Sequence, residues 1–108
     1  MLERTMLASK IHGVKVTKTS KGYSGSITLP AEMLIQANIK EYEQVQVVDV
    51  DNGARFTTYA IVGWLDEVCV NGAAARLVSV GDKLIIMTYM TVRDNDSNDW
   101  EPIIVKVS

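Results

Sequence analysis

Cysteine and histidine are nearly missing from this chain, each occurring once, as Cys69 and His12. A single cysteine excludes an intrachain disulfide and a thiolate metal cluster within one chain. Flanked by Val68 and Val70, it reads as a small strand residue, because free cysteine is among the most buried side chains. With one histidine, and nothing local that marks an activating base for a serine, no hydrolase triad can be assembled. One His and one Cys fall short of a zinc ligand set, and the acidic residues lack calcium-loop spacing, so no metal is expected. No run approaches the ~20 apolar residues that cross a bilayer. The N-terminus carries Glu3 and Arg4 early, without an apolar segment and small-residue cleavage site after them, so a cytoplasmic protein with no membrane partner is expected. Gly72-Ala73-Ala74-Ala75 is rich in small residues but lacks the Gly-Lys-Ser/Thr ending of a phosphate loop.

What remains is a chain of 108 residues, 47% hydrophobic. That suffices for one domain, 1–108, with its own core, near the size at which oligomerisation often adds stability. The net charge of −2 conceals an asymmetry: residues 1–25 carry Arg4, Lys10, Lys15, Lys18 and Lys21 against Glu3 alone, a balance of +4 against −6 in the remainder. A local positive field recruits either a small anion or a phosphate backbone, and its strength alone does not choose between them.

Strand signals dominate. Met6 to Thr19 sets Ile11, Val14 and Val16 among Lys and Thr in broad alternation, which predicts a long first strand or hairpin. Lys21-Gly22 reads as a turn and Tyr23 to Leu29 as a strand, so the Gly25-Ser26 bond opens that strand. Pro30 suits a helix start, and Ala31 to Asn38 follows with good helix formers and a C-terminal Asn. Asn52-Gly53 between Val45–Val50 and Arg55–Val62 predicts a hairpin with a type I′ turn. A strand near Glu67–Val70, a turn with one helical turn over Asn71–Leu77, a turn at Val80-Gly81-Asp82, and a polar loop at Arg93–Asp99 follow. Between the last two, Lys83–Val92 is almost continuously apolar, which predicts burial on both faces. Pro102–Val107 supplies a last edge strand. Many short strands with two short helical pieces predict a mainly β, barrel-like fold.

The tetrad Tyr23-Ser24-Gly25-Ser26 carries distinctive chemistry. A serine hydroxyl that attacks the preceding carbonyl converts an amide to an ester, and elimination with hydrolysis leaves a pyruvoyl ketone at a new N-terminus. The dipeptide alone is weak, since a Gly-Ser pair arises by chance in about one of every two chains this long. Its weight comes from company: Lys10 with His12, Arg55 with Thr57-Thr58-Tyr59, and Asn71-Gly72-Ala73-Ala74 lie on segments able to converge. With Arg4-Thr5-Met6-Leu7, Val14-Lys15-Val16-Thr17, Asn52-Gly53-Ala54-Arg55-Phe56, Ala75-Arg76 and Gly81-Asp82, these blocks run through nearly the whole chain. In that order they resemble the pyruvoyl-dependent aspartate 1-decarboxylases.

The resemblance implies a double-psi β-barrel, a homotetramer with active sites between subunits, and self-cleavage at Gly25-Ser26 into residues 1–25 and 26–108. It implies decarboxylation of L-aspartate to β-alanine, a precursor of pantothenate and coenzyme A, with a pyruvoyl group from Ser26 as cofactor and no pyridoxal phosphate. Arg55 then grips a substrate carboxylate, for which its planar fork is suited. Lys10 is a second cation for substrate, and Tyr59 donates a proton to the carbanion. Thr58 hydrogen-bonds the Gly25 carbonyl during processing. Asn71 offers its amide, Gly72, Ala73 and Ala74 leave backbone N–H groups open to an anion, and His12 either lines the pocket or makes a structural hydrogen bond. Ser24 departs from the acidic residue that many relatives carry before the cleavage glycine.

Two other readings compete. A non-enzymatic β-barrel module could bind nucleic acid through the Lys10–Lys21 strip, but the acidic total and the lack of interleaved aromatics along that strip weigh against a nucleic-acid partner. The same chemistry could act on glutamate or another acidic amino acid, since one methylene shifts binding by only ~1 to 3 kcal/mol.

Overall fold

A computed structural model describes residues 1–22 and 25–107. Tyr23, Ser24 and the terminal Ser108 therefore lie outside the described residues, and with them the expected start of the strand at Tyr23 and the departure at Ser24. The strands are β1 (Glu3–Lys15), β2 (Lys18–Ser20), β3 (Ser26–Pro30), β4 (Gln44–Asp49), β5 (Arg55–Gly63), β6 (Cys69–Asn71), β7 (Lys83–Arg93) and β8 (Ile103–Lys106). Helix α1 (Ala31–Ala37) follows β3, and short 3-10 turns occupy Gly72–Leu77 and Asp94–Ser97. The chain is thus mainly β with few short helices, as the sequence predicts.

The strands form one mixed eight-stranded sheet in the order β2-β6-β3-β5-β4-β7-β1-β8. Strands β1 and β2 are a single path of chain, joined through Val16 and Thr17. The Val16 N–H donates to the Asp82 carbonyl at 3.0 Å, on the β7 side, and the Thr17 N–H to the Val68 carbonyl at 2.9 Å, on the β6 side. One segment therefore serves both ends of the sheet and closes it into a barrel. Strand β8 adds outside this closure, parallel to β1, and is the expected edge strand.

Alternation explains the interior. On β1, β4, β5 and β7 the inward residues Ile11, Val14, Val45, Val47, Ala60, Leu84 and Ile86 are buried, and Ile27 and Leu29 join them from β3. Each large side chain so buried contributes about 1.5 to 3 kcal/mol relative to exposure. Helix α1 buries Leu34 and Ala37 and ends at Asn38, which adopts the left-handed conformation at φ 55°. That conformation is why Asn stops the helix there.

Three expectations need correction. Strand β1 begins at Glu3, ahead of Met6. The apolar run on β7 is buried on one face only, with Leu84, Ile86 and Thr88 inside while Tyr89 and Met90 are exposed. The other face of β7 forms the outer wall, so apolar residues there answer to sheet packing rather than to a second core. The Asn52-Gly53 hairpin forms between β4 and β5, but Gly53 alone of the pair has positive φ, at 78°. Its turn is wider than type I′: the Gly53 N–H donates to the Asp49 carbonyl at 2.8 Å, and the Asp49 N–H to the Ala54 carbonyl at 2.8 Å. The Asp49 carboxylate sets this shape by accepting the Asp51 and Asn52 N–H groups at 2.9 and 3.3 Å.

Candidate active site

Ser26 begins β3 between two partners, with β5 parallel on one side and β6 antiparallel on the other. Its side chain is only 6% exposed and forms part of an open pocket of about 420 Å³. The lining follows strand periodicity: Lys18 and Ser20 from β2, Ser26 and Thr28 from β3, Tyr59 and Ile61 from β5, and Cys69 and Asn71 from β6, with Glu67 at the approach to β6. Residues i and i+2 share one face of a strand, so four neighbouring strands each contribute one such pair to a common outer wall.

Hydrogen bonds tie this wall together. The Asn71 amide nitrogen donates to Ser26 Oγ at 2.9 Å and to Thr28 Oγ1 at 3.3 Å. The Cys69 thiol donates to Asn71 Oδ1 at 3.1 Å. Asn71 precedes the Gly72–Leu77 turn in the capping position, yet its side chain makes no capping bond; the amide is committed to Ser26. Burial raises the Cys69 thiol pKa, with Lys18 pulling it down and Glu67 pushing it up. The cysteine is the small buried strand residue expected, with a hydrogen-bonding role that a valine-flanked position does not advertise.

The other expected residues occupy a second area. Antiparallel pairing aligns His12 with Ile85, Ile85 with Val48 and Val48 with Arg55, and in the next row Lys10 with Met87, Met87 with Gln46 and Gln46 with Thr57. Partners directly opposite point to the same face, so Lys10, His12 and Arg55 stand on the outer wall of β1, β7, β4 and β5. From β1 to β5 this wall spans three strand spacings, about 14 Å. Tyr59 shares the Arg55 face four residues further along β5, about 13 Å away along the strand, and is the point where the two areas meet. Neither Lys10, His12 nor Arg55 lines the Ser26 pocket.

Thr58, between Tyr59 and Ala60, falls on the inward parity of β5 and is half-buried opposite Val45. It does not line the pocket. Gly25 is exposed, and a Cβ added there meets nothing within 4 Å among the described residues. Gly72 is buried at φ 75°, a conformation suited to glycine, while Ala73 is exposed and Ala74 half-buried against the core. The tight glycine turns the chain directly after Asn71 and so fixes where the amide can point. Sequence reasoning missed Lys18, Ser20, Thr28, Ile61, Glu67 and Cys69; the signal available was the i, i+2 parity with Ser26, Tyr59 and Asn71. No helix among the described residues is long and apolar enough to cross a membrane.

The family model described as aspartate decarboxylase matches residues 2–108. An aspartate 1-decarboxylase of Clostridium novyi is 52% identical over 106 residues, covering 96% of this chain and 86% of the relative. One from Clostridium botulinum is 50% identical over 105 residues, with 95% and 83% covered, and one from Clostridium kluyveri is 45% identical over 106 residues, with 96% and 84% covered. The match takes in both the Ser26 pocket and the outer wall that carries Lys10 and Arg55, and on that extent and identity the chain belongs to the aspartate decarboxylase family.

Proposed function

We propose that this chain cuts its own backbone between Gly25 and Ser26, into 1–25 and 26–108, and that the pyruvoyl group so formed serves decarboxylation of L-aspartate to β-alanine and carbon dioxide. The observation that carries this reading is the Ser26 hydroxyl, buried in the pocket wall under the Asn71 amide, with Tyr59 lining the same pocket. In the cleavage, Oγ attacks the Gly25 carbonyl carbon; the C–N bond breaks as the C–O bond forms, and the hydroxyl proton ends on the freed amine. Loss of the Ser26 Cα proton then expels the Gly25 carboxylate. The enamine left behind takes up one water and releases ammonia, leaving a ketone.

The residues present fit that ketone. The Asn71 amide that donates to Ser26 Oγ supplies an N–H beside the residue that becomes the ketone, and β3 is paired with β5 and β6 from the residues that follow the bond to be cut. Once formed, the group supplies an electrophilic carbonyl beside a second carbonyl, the electron sink that pyridoxal phosphate provides elsewhere. The chain's own side chains do the rest. Arg55 and Lys10 bind and orient the two substrate carboxylates, Arg55 by its bidentate fork. Tyr59 hands its phenolic proton to the carbon that loses carbon dioxide. Asn71 and the backbone N–H groups of Gly72, Ala73 and Ala74 hold negative charge, and Thr58 supports the cleavage step.

Lys10 and Arg55 lie along a wall too long for aspartate to span together with Ser26 of the same chain. The separation favours a site shared between protomers, in which cations of one face the Ser26 pocket of another, and the reading takes the assembly to be the homotetramer that the family resemblance implies. The test is complementation. Ser26→Ala and Arg55→Gln chains, each purified alone, produce no measurable β-alanine; refolded together, they recover part of the native rate through mixed sites. Normal turnover by Ser26→Ala alone removes the proposed chemistry, and failure of the mixture to recover any activity removes the shared site.

A further inference from the structure

The geometry points to Cys69 as a positioning residue for self-cleavage, acting through the Asn71 amide; this rests on the reading of Gly25-Ser26 as the bond that is cut. A carboxamide has two orientations, which exchange a donor for an acceptor at each end. Around Asn71 stand the hydroxyls of Ser26 and Thr28, which accept or donate, and the thiol of Cys69, a weak donor and a weaker acceptor. The thiol breaks the tie. With the Cys69 S–H directed at Asn71 Oδ1 at 3.1 Å, the amide N–H groups are left for Ser26 Oγ at 2.9 Å and Thr28 Oγ1 at 3.3 Å.

That orientation matters because of where the serine proton must go. While Ser26 Oγ accepts from Asn71, its own hydrogen points elsewhere and is free to leave as Oγ attacks the Gly25 carbonyl carbon. In the reversed orientation Asn71 Oδ1 accepts the Ser26 O–H and holds the proton that has to be transferred. The same N–H stays useful afterwards: Oγ becomes the ester oxygen, and when the ester is eliminated it departs on the Gly25 carboxylate. Negative charge grows on that oxygen, and a donor already aimed at it stabilises the transition state more than the starting serine. Cys69 is buried and adjacent on the same strand face, so its thiol is held in place by β6 packing rather than by solvent.

The experiment follows formation of fragments 1–25 and 26–108 by denaturing mass spectrometry of freshly purified full-length chain. Cys69→Ser puts at this position a hydroxyl that donates but also accepts, so about half of the chains keep the productive amide orientation and cleavage is expected within about twofold of the native rate, whereas Cys69→Val, which fills the space without donating, cleaves about tenfold more slowly. Cys69→Ala, with its melting temperature measured beside the others, guards against a folding defect in the valine variant and is expected to match its slowing. The decisive readout is coupling. In an Asn71→Asp background, which lacks the amide donor, Cys69→Val is expected to cause no further slowing. Native-rate cleavage by Cys69→Val, equal slowing by the serine and valine variants, or additive slowing in the Asn71→Asp background overturns the inference while leaving self-cleavage standing. A native chain that never cleaves overturns both.

Discussion

Asp49→Asn is expected to stabilise the fold at alkaline pH and to leave it nearly unchanged in mild acid. Asp49 ends β4 with no exposed surface. Its Oδ1 accepts two backbone N–H groups of the hairpin turn, while its buried Oδ2 has no donor among the described residues. Carboxylate oxygens of Asp49, Asp51 and Asp82 lie within 4.8 Å of one another. Burial, and then the side chain of Asp82, raise the Asp49 pKa; the partnership with Asp49, and then the Ser79 N–H, lower that of Asp82. A raised carboxyl holds a proton in the folded state that the unfolded chain releases. Its stabilisation is complete below the ordinary carboxylate pKa and is lost as pH rises through the raised folded value. Asp82 runs the other way, contributing above the ordinary value and losing its contribution as pH falls through its lowered one. The pair is therefore most favourable with one shared proton, in mild acid, and least favourable when both groups are charged. An Asn at 49 keeps the acceptor for the turn and places a permanent N–H where the shared proton sits.

A buried polar atom without a partner costs about 1 to 3 kcal/mol, so the Asn variant is expected to gain about 1 to 2 kcal/mol at pH 8. For a domain near this size that raises the melting temperature by roughly 5 to 10 °C. At an acid pH near the ordinary carboxylate pKa the difference shrinks to a few tenths, about ±0.5 kcal/mol at most. Thermal unfolding of both chains in a Ser26→Ala background, at one fixed protein concentration, measures this on an uncleaved species. An Asn variant less stable than the parent at pH 8, or a gain of equal size at both pH values, refutes the shared-proton account.

Tyr59→Phe keeps the ring and removes the proton donor; kcat for aspartate is expected to fall by about 10² or more, with KM and the extent of backbone cleavage little changed. A variant that keeps its kcat removes Tyr59 from the chemistry. Gly13→Ala is expected to destabilise by about 1 to 3 kcal/mol, because Gly13 has φ 97° and an added Cβ meets the Val107 carbonyl oxygen at 2.6 Å. Urea unfolding checks this, and an unchanged midpoint shows that the contact between β1 and the residue after β8 yields freely.

Local rules carried the elements whose geometry is set by one or two residues. Asn38 ends α1 because it accepts a left-handed conformation, and Gly53 marks the β4–β5 hairpin for the same reason. The type of that hairpin's turn was not legible from Asn-Gly alone, because the Asp49 carboxylate reshapes it through backbone N–H groups. On β7, apolar residues on the outer wall look no different in sequence from core residues, and only pairing shows which face is inside. The site divides along the same line. Ser26, Tyr59 and Asn71 are found together, whereas Lys18, Thr28 and Cys69 join them through a register between β2, β6, β3 and β5 that no local pattern encodes. Lys10 and Arg55 stand on the same outer wall as Tyr59 but well away from Ser26, a separation that strand alternation permits and only sheet order reveals.

The central claim is that the chain breaks itself at Gly25-Ser26 and leaves a ketone behind. Denaturing mass spectrometry of the purified protein tests it most directly. Two species are predicted, 1–25 ending in a free carboxylate and 26–108 lighter by one ammonia than a chain that begins with serine, the second reacting with a hydrazine probe. Intact chain after prolonged warming, or a 26–108 fragment that retains its serine amine, contradicts the account.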